Sequence, residues 1–273
     1  MNRIQEQDDA GVFGMRSEKM LLKAQRLEIL KELGKEQEIV SWDRLQSRLQ
    51  VSKATLWRDI EELEKKGIVR KIRGGVNFRP EFGEEIPKEA RTERNPEAKK
   101  KIAEAALSFI DDDDFVMLDS GTTVLELARK IPPDKPVRVV TYYYEAAEKI
   151  AAGERSEVFL VGGKMRKGFY TCHGHMAEEM LKEFHAKTCF LGADGVDGKA
   201  GLTGYNSLDV PLKQIMIRQS ERVVLLCDHT KFGQKAFVHV APIEEIHTII
   251  TDSGTDPNVI QELREKNIEV IVT

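Results

Sequence analysis

Apolar residues in the first quarter of the chain recur at helical spacing in three short stretches. The first stretch begins near Met20 and ends at Gly34, a residue type that commonly closes helices. The next two follow Ser41 and Ser52, whose hydroxyl groups suit the capping position at a helix start. The last of them is predicted to stop at Gly67. Three short helices joined by tight turns are therefore predicted.

A short alternating pattern follows these helices. Residues 68–78 contain two stretches of apolar and polar residues around Gly74-Gly75, and this arrangement predicts a two-stranded hairpin. Three helices followed by a hairpin is the element order of a winged helix-turn-helix. We therefore predict such a domain over residues 19–79, after a flexible polar arm over residues 1–18.

The predicted helix that begins at Ser52 is the second of the helix-turn-helix pair, and this helix normally lies in the major groove. Lys and Arg side chains contact phosphates and base edges, and cations on the hairpin add phosphate contacts. A solvated helix pair with a basic hairpin is the alternative, but caps, turn, hairpin and charge all agree with DNA binding. The residues expected to contact DNA are Ser52, Lys53, Thr55, Trp57, Arg58, Arg70, Lys71 and Arg73.

Residues 51–76, VSKATLWRDIEELEKKGIVRKIRGGV, resemble the N-terminal signature of the DeoR family of bacterial transcription regulators. One position departs, because Trp57 stands where the family usually has the first of two arginines. A tryptophan cannot make the bidentate contact of arginine to guanine, so Trp57 either touches a thymine methyl or sugar or packs within the protein. The matching residues are Val51, Ser52, Thr55, Arg58, Asp59, Ile60, Leu63, Gly67, Gly74 and Gly75.

Residues 80–95 are polar, contain two prolines and lack periodicity, which is typical of a linker. Beyond them, short apolar stretches alternate with helical patterns. Residues 96–273 are therefore predicted to form a mostly parallel sheet with helices on both faces. The predicted strands are Phe115–Leu118, Val137–Thr141, Val158–Val161, Thr188–Leu191, Arg222–Leu226, His247–Thr251 and Ile268–Val272. The predicted helices lie near residues 122–131, 145–152, 174–186, 207–219 and 256–266.

The first of these strands leads into Asp119-Ser120-Gly121-Thr122-Thr123, directly before a predicted helix. A helix start presents unpaired N–H groups and the positive end of the helix dipole. Glycine lets the backbone approach a ligand and hydroxyl groups add donors, so this loop could hold a phosphate. A plain helix cap made of small residues is the alternative. The sequence has neither a P-loop lysine pattern nor a GxGxxG element, so nucleotide hydrolysis is not indicated.

Several motifs after this loop resemble the C-terminal sensor domain of the same family. The family resemblance implies an α/β domain similar to sugar-phosphate isomerases and CoA transferases, which senses phosphorylated sugars or related metabolites. In chain order the motifs are DSGTT at 119–123, VVT at 139–141, VGGKMR at 161–166, FLGADGVD at 190–197, GLT at 201–203 and CDHTKFG at 227–233.

The resemblance also implies which residues bind the effector. Asp119–Thr123 would hold its phosphate. Tyr142 stands where the family often has Asn, with Tyr143 and Tyr144 directly after it, and we expect this change to reshape one wall of the pocket. The full set of implied effector-binding residues is Asp119, Ser120, Gly121, Thr122, Thr123, Thr141, Asp194, Gly195, Lys213, Asp228 and Lys231.

Simpler structural roles remain open for some of these residues. Lys213 lies on a predicted helix and could be a surface lysine, and Asp194 could stabilise a turn. His173 and His175 form an HxH pattern, but no further ligand cluster at short spacing supports a metal. Neither a metal nor a cofactor is therefore expected.

Composition adds an asymmetry of charge. The 273 residues suit two domains, and 41% hydrophobic with 32% charged residues indicate a globular chain. The net charge is −4, yet residues 17–79 contain 15 Lys and Arg against 10 Asp and Glu, whereas residues 80–273 contain 25 against 33. A basic first domain on an acidic second one favours a polyanion as partner of the first.

Other features of the sequence exclude further classes. Three widely spaced cysteines exclude a disulfide scaffold and fit a reducing cytoplasm. The longest aliphatic stretches are too short to cross a bilayer, and the first residues lack the pattern of a signal peptide. We therefore expect a cytoplasmic protein without a membrane partner.

The sequence thus predicts a DNA-binding transcription regulator, a repressor in most of the family, that acts on a carbohydrate operon. A phosphorylated sugar would change its operator affinity. A homo-oligomer, either a dimer or a tetramer, would place two DNA-binding domains, or heads, on repeated half-sites. The alternative is a sugar-phosphate isomerase with a DNA-binding head, for which Asp194, Asp228 and Lys213 could supply acid and base groups. A regulator without a ligand would leave the Asp119–Thr123 loop unexplained.

Overall fold

The computed structural model describes residues 21–37, 39–65, 69–78 and 85–273. The predicted arm over residues 1–18, the helix stop at Gly67 and the first part of the predicted linker lie outside these described residues. Contacts divide the chain into an N-terminal unit and a C-terminal unit. The first lies within residues 1–64 and 68–79, and the second within residues 65–67 and 80–273.

The described residues of the N-terminal unit form three helices and one small antiparallel sheet. Its sheet has the strand order β1-β3-β2, so the predicted hairpin gains a third strand. Leu30, Leu45, Ile60 and Val76 are fully buried in the core that the helices and the sheet share. The elements are α1 (Lys23–Glu36), β1 (Ile39–Ser41), α2 (Trp42–Leu49), α3 (Lys53–Lys65), β2 (Arg70–Ile72) and β3 (Gly75–Asn77).

Two details of this unit differ from the prediction. The first helix does not end at Gly34 but continues to Glu36. A Cβ atom at Gly34 would come within 2.5 Å of the Phe78 ring, so this glycine permits close packing and does not terminate the helix. The strand Ile39–Ser41 was not predicted, because three residues are too few to show a period and its pairing with Gly75–Asn77 is a long-range contact.

The C-terminal unit is built on a seven-stranded sheet. All seven predicted strands form, and every neighbouring pair in the order β15-β14-β12-β9-β4-β5-β6 is parallel. The strands are β4 (Phe115–Leu118), β5 (Arg138–Thr141), β6 (Glu157–Leu160), β9 (Ala186–Leu191), β12 (Ser220–Leu226), β14 (Thr248–Thr251) and β15 (Glu269–Val272).

Helices cover both faces of this sheet. Successive residues of β4 alternate between two hydrophobic clusters, with Met117 in one and Val116 and Leu118 in the other. This alternation is why the strands appear as continuous apolar stretches in the sequence. The helices are α5 (Pro96–Ala106), α6 (Thr122–Lys130), α7 (Tyr144–Ala151), α8 (His175–Lys182), α9 (Asp209–Arg218) and α10 (Pro257–Glu265).

Smaller elements were not predicted. The strands β7 (Lys164–Arg166) and β8 (Thr171–His173) form an antiparallel pair. A second antiparallel sheet joins β10 (Gly195–Asp197), β11 (Gly201–Gly204) and β13 (Val238–Ala241). Each strand has only three or four residues, so periodicity could not reveal them.

The predicted linker over residues 80–95 is partly wrong. Residues Lys88–Glu93 form a helix, α4, whose Ala90 is fully buried. Six residues show no helical period, and the last turn of α4 is completed by the ammonium group of Lys99, which donates to the carbonyls of Arg91 and Arg94. A tertiary contact therefore sustains this helix.

Two further observations concern the described chain. The four consecutive acidic residues Asp111–Asp114 are typical of a solvated turn before the first strand, but Asp114 is largely buried, accepts from the Asp111 backbone N–H at 2.8 Å and binds Lys187. In the part of the chain that the structure describes, each helix is either too short or too polar to span a membrane.

Candidate functional site

The helix-turn-helix of the N-terminal unit is formed by α2 and α3. Gln50 ends α2 in the left-handed region with φ 51°. Ser52 then caps α3, because its Oγ accepts a hydrogen bond from the Thr55 backbone N–H at 3.2 Å and lies 2.9 Å from the Thr55 hydroxyl. Ser52 and Thr55 thus hold the start of the helix, while Lys53 and Arg58 are exposed on its surface.

Trp57 links α3 to α2 and to the hairpin. Its ring stacks on Trp42 with a centroid distance of 5.3 Å, and the Lys71 ammonium lies 4.8 Å above it. Lys71 also forms an ion pair with Glu64 at 2.7 Å. Trp57 nevertheless keeps half of its surface exposed, so it both packs within the protein and remains available to a ligand. Arg70 and Arg73 are exposed on the hairpin.

A buried ion pair sets the angle between α1 and α3. Asp59 is 2% exposed, and its two oxygens accept from Arg26 Nε at 2.6 Å and Arg26 Nη2 at 3.1 Å. The hydrogen bond to Asp59 raises the pKa of Arg26. This bidentate pair holds the opposite, exposed face of α3 in place.

In the C-terminal unit, the strand β4 leads through a short loop into α6. Gly121, the residue before the helix, has φ 128°, a conformation that side chains rarely adopt. Its position leaves the first N–H groups of α6, those of Thr122 and Thr123, without partners from within the helix. Such a helix start attracts anions.

Asp119 supports this loop from behind. The carboxylate is fully buried and accepts hydrogen bonds from the Gly192 backbone N–H at 2.8 Å, from the Tyr142 hydroxyl and from the Lys213 ammonium. Lys213 also donates to the Gly192 carbonyl at 2.9 Å. The Tyr142 hydroxyl gives its only proton to Asp119, so at 3.1 Å it accepts from Ser120.

Opposing effects act on the ionisation of these groups. Burial lowers the pKa of Lys213, but the charges of Asp119 and Asp209 outweigh burial and the net pKa is raised. Burial, reinforced by the charge of Asp119, raises the pKa of Tyr142 far above its usual value. Lys213 is therefore a cation and Tyr142 a neutral donor at physiological pH.

The loop faces a pocket at the carboxyl ends of the central strands, where parallel sheets bind ligands. Ser120–Thr123 follow β4, Gly192–Asp194 follow β9 and Leu226–Lys231 include the end of β12. Among the described residues, seven cationic side chains and four carboxylates line it. The cations are Lys88, Arg91, Arg94, Lys99, Arg166, Lys213 and Lys231, and the carboxylates are Glu85, Asp194, Asp209 and Asp228.

Cations crowd one part of this pocket. Lys99 is 4% exposed, and its pKa is lowered to about 8, chiefly by burial. The charge of Asp228 opposes this shift, whereas the charges of Lys231, Arg91 and Arg94 add to it. Burial also lowers the pKa of Arg94. A further anion at this place would relieve the repulsion among the cations.

The carboxylates of the pocket differ in their surroundings. Asp228 accepts from the Thr230 hydroxyl at 2.5 Å and from the Asn95 amide at 3.1 Å. Burial raises its pKa, but the Thr230 hydrogen bonds and the Lys231 charge outweigh burial, so the net pKa is lowered. The pKa of Asp209 is raised instead, because burial dominates the charges that surround it.

Eight of the eleven residues predicted for effector binding line this pocket, namely Ser120, Gly121, Thr122, Thr123, Asp194, Lys213, Asp228 and Lys231. Three do not. Asp119 lies behind the loop, and Thr141 donates to the Leu118 carbonyl at 2.7 Å within the sheet. Gly195 permits close packing, since a Cβ atom there would come within 2.4 Å of the Gln234 carbonyl.

The tyrosines expected to reshape one pocket wall are divided between two positions. The side chain of Tyr142 is fully buried and does not line the pocket, whereas that of the next residue, Tyr143, does. Tyr142 acts from behind the loop through Asp119 and Ser120. Sequence reasoning could not distinguish these positions, because three tyrosines in succession give no indication of which one faces the ligand.

Several pocket residues were not predicted. Arg91, Arg94 and Lys99 come from the segment assigned to a linker and from the helix after it. The repeated basic residues of KEARTER were the available signal, but a charged linker explained them equally well. Arg166, Asn206 and Asp209 reach the pocket through long-range packing and had no local motif.

His173 and the cysteines have structural surroundings. His173 is buried, with Nδ1 3.2 Å from the Leu208 carbonyl and Nε2 2.7 Å from the Thr171 hydroxyl, whereas His175 is exposed. Within the described ranges, no three His, Cys, Asp or Glu residues are grouped as a metal site requires. Cys172, Cys189 and Cys227 are buried and unpaired, and burial raises the pKa of each thiol.

The fold combines a winged helix-turn-helix with an α/β domain that has a cation-rich pocket at the carboxyl ends of its strands, an architecture typical of DNA-binding regulators. Family models identify the two halves. Residues 26–81 match the DeoR-like helix-turn-helix domain, and residues 94–253 match the DeoR C terminal sensor domain. The chain belongs to the DeoR family of transcriptional regulators, and the family resemblance noted in the sequence is confirmed.

Several similar proteins are transcriptional regulators, and this chain matches them over nearly their whole length. The HTH-type transcriptional regulator GlpR of Haloferax volcanii is 32% identical over 92% of this chain and 98% of its own length. The transcriptional repressor AccR of Agrobacterium fabrum is 30% identical over 86% of this chain and 91% of its own. The HTH-type transcriptional repressor GlcR of Bacillus subtilis is 30% identical over 91% and 96%.

Solved structures resemble part of the chain at low identity. Ribose 5 phosphate isomerase A from Neisseria gonorrhoeae has 18% identity and a TM-score of 0.37, covering 49% of this chain and 52% of its own. The delta subunit of eIF2B from Chaetomium thermophilum has 20% identity and a TM-score of 0.41, covering 58% and 56%. These partial similarities carry no information about the ligand of this chain.

Proposed function

We propose that this regulator is a repressor of a carbohydrate operon whose operator affinity falls when a phosphorylated sugar binds the pocket of the C-terminal unit. Operator contacts come from Lys53, Arg58 and the cations of the hairpin. The protein acts in the cytoplasm as a homo-oligomer, since two heads on repeated half-sites bind an operator more tightly than one.

One observation carries the effector part of this proposal. The N-terminus of α6, with Gly121 and Thr122, opens into a pocket in which cationic side chains outnumber carboxylates by seven to four among the described residues. A helix N-terminus combined with clustered cations is the usual environment of a bound phosphate. The remaining carboxylates supply acceptors for hydroxyl groups, which suits a phosphorylated sugar better than a simple anion.

The position of α4 in the chain supports a coupling between ligand and operator. This helix follows the N-terminal unit along the chain, and its Arg91 lines the pocket together with Arg94 just after it. A ligand that binds these guanidinium groups therefore acts on the segment that leads to the head. Differential binding to two arrangements of this segment would change operator affinity by about 1–3 kcal/mol, roughly 5- to 150-fold.

The test uses the full-length protein and a duplex selected from a random DNA library by that protein. The operator complex is titrated with ribose 5-phosphate, glucose 6-phosphate and fructose 1-phosphate, and in parallel with the unphosphorylated sugars. We expect at least one phosphorylated sugar to weaken binding 5- to 150-fold, as couplings of this kind do, while its unphosphorylated form has no effect. Failure of every phosphorylated sugar in a wide panel would contradict the effector assignment.

A matched variant separates loss of the ligand from loss of the fold. Thr122→Glu places a carboxylate in the first turn of α6, where it favours the helix but repels a phosphate. This variant should bind the selected duplex normally and ignore the phosphorylated sugar. Thr230→Ser, which retains the hydroxyl group at another pocket residue, serves as the control and should keep the response.

The isomerase alternative has a direct test and no specific support. Relatives that match over nearly their whole length are transcriptional regulators. Of the groups that an acid-base mechanism could use, Lys213 is bound to Asp119 and the Gly192 carbonyl, and Asp228 accepts from Thr230 and Asn95. Incubation of the purified protein with aldose and ketose phosphates should therefore give no interconversion, as followed by NMR.

A further inference from the structure

Buried polar atoms without hydrogen-bond partners are rare in proteins, because each costs free energy. Among the described residues three side chains have such atoms: Arg91 at Nε, Asn206 at Nδ2 and Asp209 at Oδ1. All three residues line the pocket at the carboxyl ends of the strands. Two of the atoms are donors and one is an acceptor, so a simple anion cannot satisfy all three.

The surroundings of Asp209 explain why its oxygen lacks a donor. Its Oδ1 lies 3.4 Å from Nε2 of His173. The other ring nitrogen of that histidine faces the Leu208 carbonyl at 3.2 Å, and a carbonyl can only accept, so the proton lies on Nδ1. An imidazole that has its single proton on Nδ1 accepts at Nε2 from the Thr171 hydroxyl at 2.7 Å and has no proton to donate to Asp209.

Asn206 is oriented by the same loop. Its side-chain oxygen accepts from the Leu208 backbone N–H at 3.3 Å, which identifies the other atom of the amide as the Nδ2 donor. Its backbone carbonyl accepts from the Asp209 N–H at 3.2 Å. The loop before α9 and the first residue of that helix thus present one amide donor and one carboxylate acceptor to the pocket, three residues apart along the chain.

An adjacent donor and acceptor match the hydrogen-bonding capacity of a hydroxylated carbon chain, since each hydroxyl group both donates and accepts. We propose that Asn206 and Asp209 form a hydroxyl-recognition subsite, in which Asp209 accepts from one hydroxyl of the effector and Asn206 donates to a neighbouring oxygen. Arg91 donates from Nε to a further oxygen of the same molecule. This inference rests on the proposed function, and it assigns the non-phosphate part of the effector to a polyhydroxylated chain.

The consequence is a specificity that phosphate binding alone would not give. Sites built to bind a hydroxyl reject analogues that lack it, because the protein groups then remain buried and unpaired. Loss of one such contact costs about 1–3 kcal/mol, which corresponds to roughly a 5- to 150-fold change in dissociation constant. An ordinary cationic anion site would bind hydroxylated and deoxy phosphates equally.

The experiment measures dissociation constants by calorimetry on the full-length protein with matched phosphates. The probes are ribose 5-phosphate against 2-deoxyribose 5-phosphate, glucose 6-phosphate against 2-deoxyglucose 6-phosphate, and glycerol 3-phosphate against propyl phosphate, with inorganic phosphate as the reference. The variants are Asp209→Asn and, as control, Glu148→Gln, which changes an exposed carboxylate on α7 outside the pocket. Thermal unfolding checks the fold of each, and Asn206→Ala replaces Asp209→Asn if the latter unfolds.

We expect at least one hydroxylated probe to bind the wild type and Glu148→Gln roughly 5- to 150-fold more tightly than its partner, in line with the cost of one lost contact. Asp209→Asn should bring that ratio close to one and leave inorganic phosphate binding unchanged. Equal binding within every pair in the wild type, or a ratio that Asp209→Asn preserves, would overturn the subsite.

Failure of the proposed function would look different. If ribose and glucose bind as tightly as their phosphates and lose affinity in Asp209→Asn, the subsite stands and the phosphate assignment fails. If the phosphates bind through Thr122 but the hydroxylated and deoxy phosphates bind equally, the phosphate assignment stands and the subsite fails. Absence of binding by every probe overturns both.

Discussion

Cationic side chains serve the two units of this protein in opposite ways. On the N-terminal unit, Lys53, Arg58 and Arg73 are exposed. In the C-terminal unit, Lys99 and Lys213 are buried in a pocket and held by carbonyl and carboxylate oxygens. The first arrangement suits an extended polyanion, which is bound through many exposed contacts and strongly affected by salt. The second suits a small anion that replaces water in an enclosed site.

The difference shows that net charge is a poor guide to where anions bind. Residues 80–273 have an excess of acidic residues, yet among the described residues that line the pocket within them cationic side chains outnumber carboxylates by seven to four. Their carboxylates lie largely elsewhere, in surface pairs such as Lys100 with Glu97. Local arrangement, which folding creates, decides the sign of the potential at a site.

The largest effect is expected when the buried ion pair between Lys213 and Asp119 in the C-terminal unit is broken. Lys213→Met leaves Asp119 uncompensated, and removal of one partner from such a pair costs about 3–5 kcal/mol of the free energy of unfolding. Both tryptophans of the chain, Trp42 and Trp57, are in the N-terminal unit, so urea unfolding followed by their fluorescence should change little. Far-UV circular dichroism should show the destabilisation, and the double variant Lys213→Met with Asp119→Leu should recover part of it.

The next effect tests the exposed cations. Arg58→Ala should weaken binding to the selected duplex by about 1–3 kcal/mol, the usual value of one arginine contact to a base. Binding of a phosphorylated sugar should be unaffected. The matched control is Arg155→Ala, an exposed arginine of the C-terminal unit, which should leave operator affinity unchanged in a fluorescence anisotropy titration. Unchanged affinity in Arg58→Ala would remove this residue from the interface.

The smallest expected effect is the uptake of a fraction of one proton when the ligand binds. Lys99 has a pKa of about 8 in the free protein, chiefly because of burial, and a phosphate dianion nearby would raise it. At pH 8.5 binding should therefore take up a fraction of one proton, and affinity should fall as the pH rises above 8. Calorimetry in buffers of different ionisation enthalpy measures this uptake, to which the phosphate, already a dianion, contributes nothing.

Two adjacent lysines make the control for this measurement. Lys99→Met should abolish the proton uptake and weaken phosphate binding, whereas Lys100→Met removes an exposed lysine from the same helix and should change neither. Lys99 also affects how the free energy of unfolding depends on pH. Its pKa is about 8 in the folded state and about 10.4 in an unfolded chain, so the unfolded state binds more protons between these two pH values. The contribution of Lys99 to the free energy of unfolding should therefore increase as the pH rises through this range. Equal uptake in both variants would assign the proton to another group.

How far sequence reasoning reached is visible in particular elements. The seven parallel strands were predicted because each is a short apolar stretch between helical patterns, and the Ser120–Thr123 loop because small polar residues follow a strand directly. Prediction failed for α4, whose last carbonyls accept from Lys99. The sequence also could not say which of Tyr142 and Tyr143 lines the pocket, because the two differ only in the face of the fold that they meet. Asn206 and Asp209 had no motif at all.

The sequence by itself determined the order of the main helices and of the seven parallel strands, the two-unit division and the family, because periodicity, caps and glycine positions are local properties that adjacent residues carry. Only the tertiary structure decided the content of the pocket. Arg91 and Lys99 are far from Asp209 and Lys213 along the chain, and the two pairs meet at the ends of the strands because burial of the sheet faces brings their segments together. A side chain's partners, and so its charge state and its freedom to bind a ligand, arise from such long-range packing.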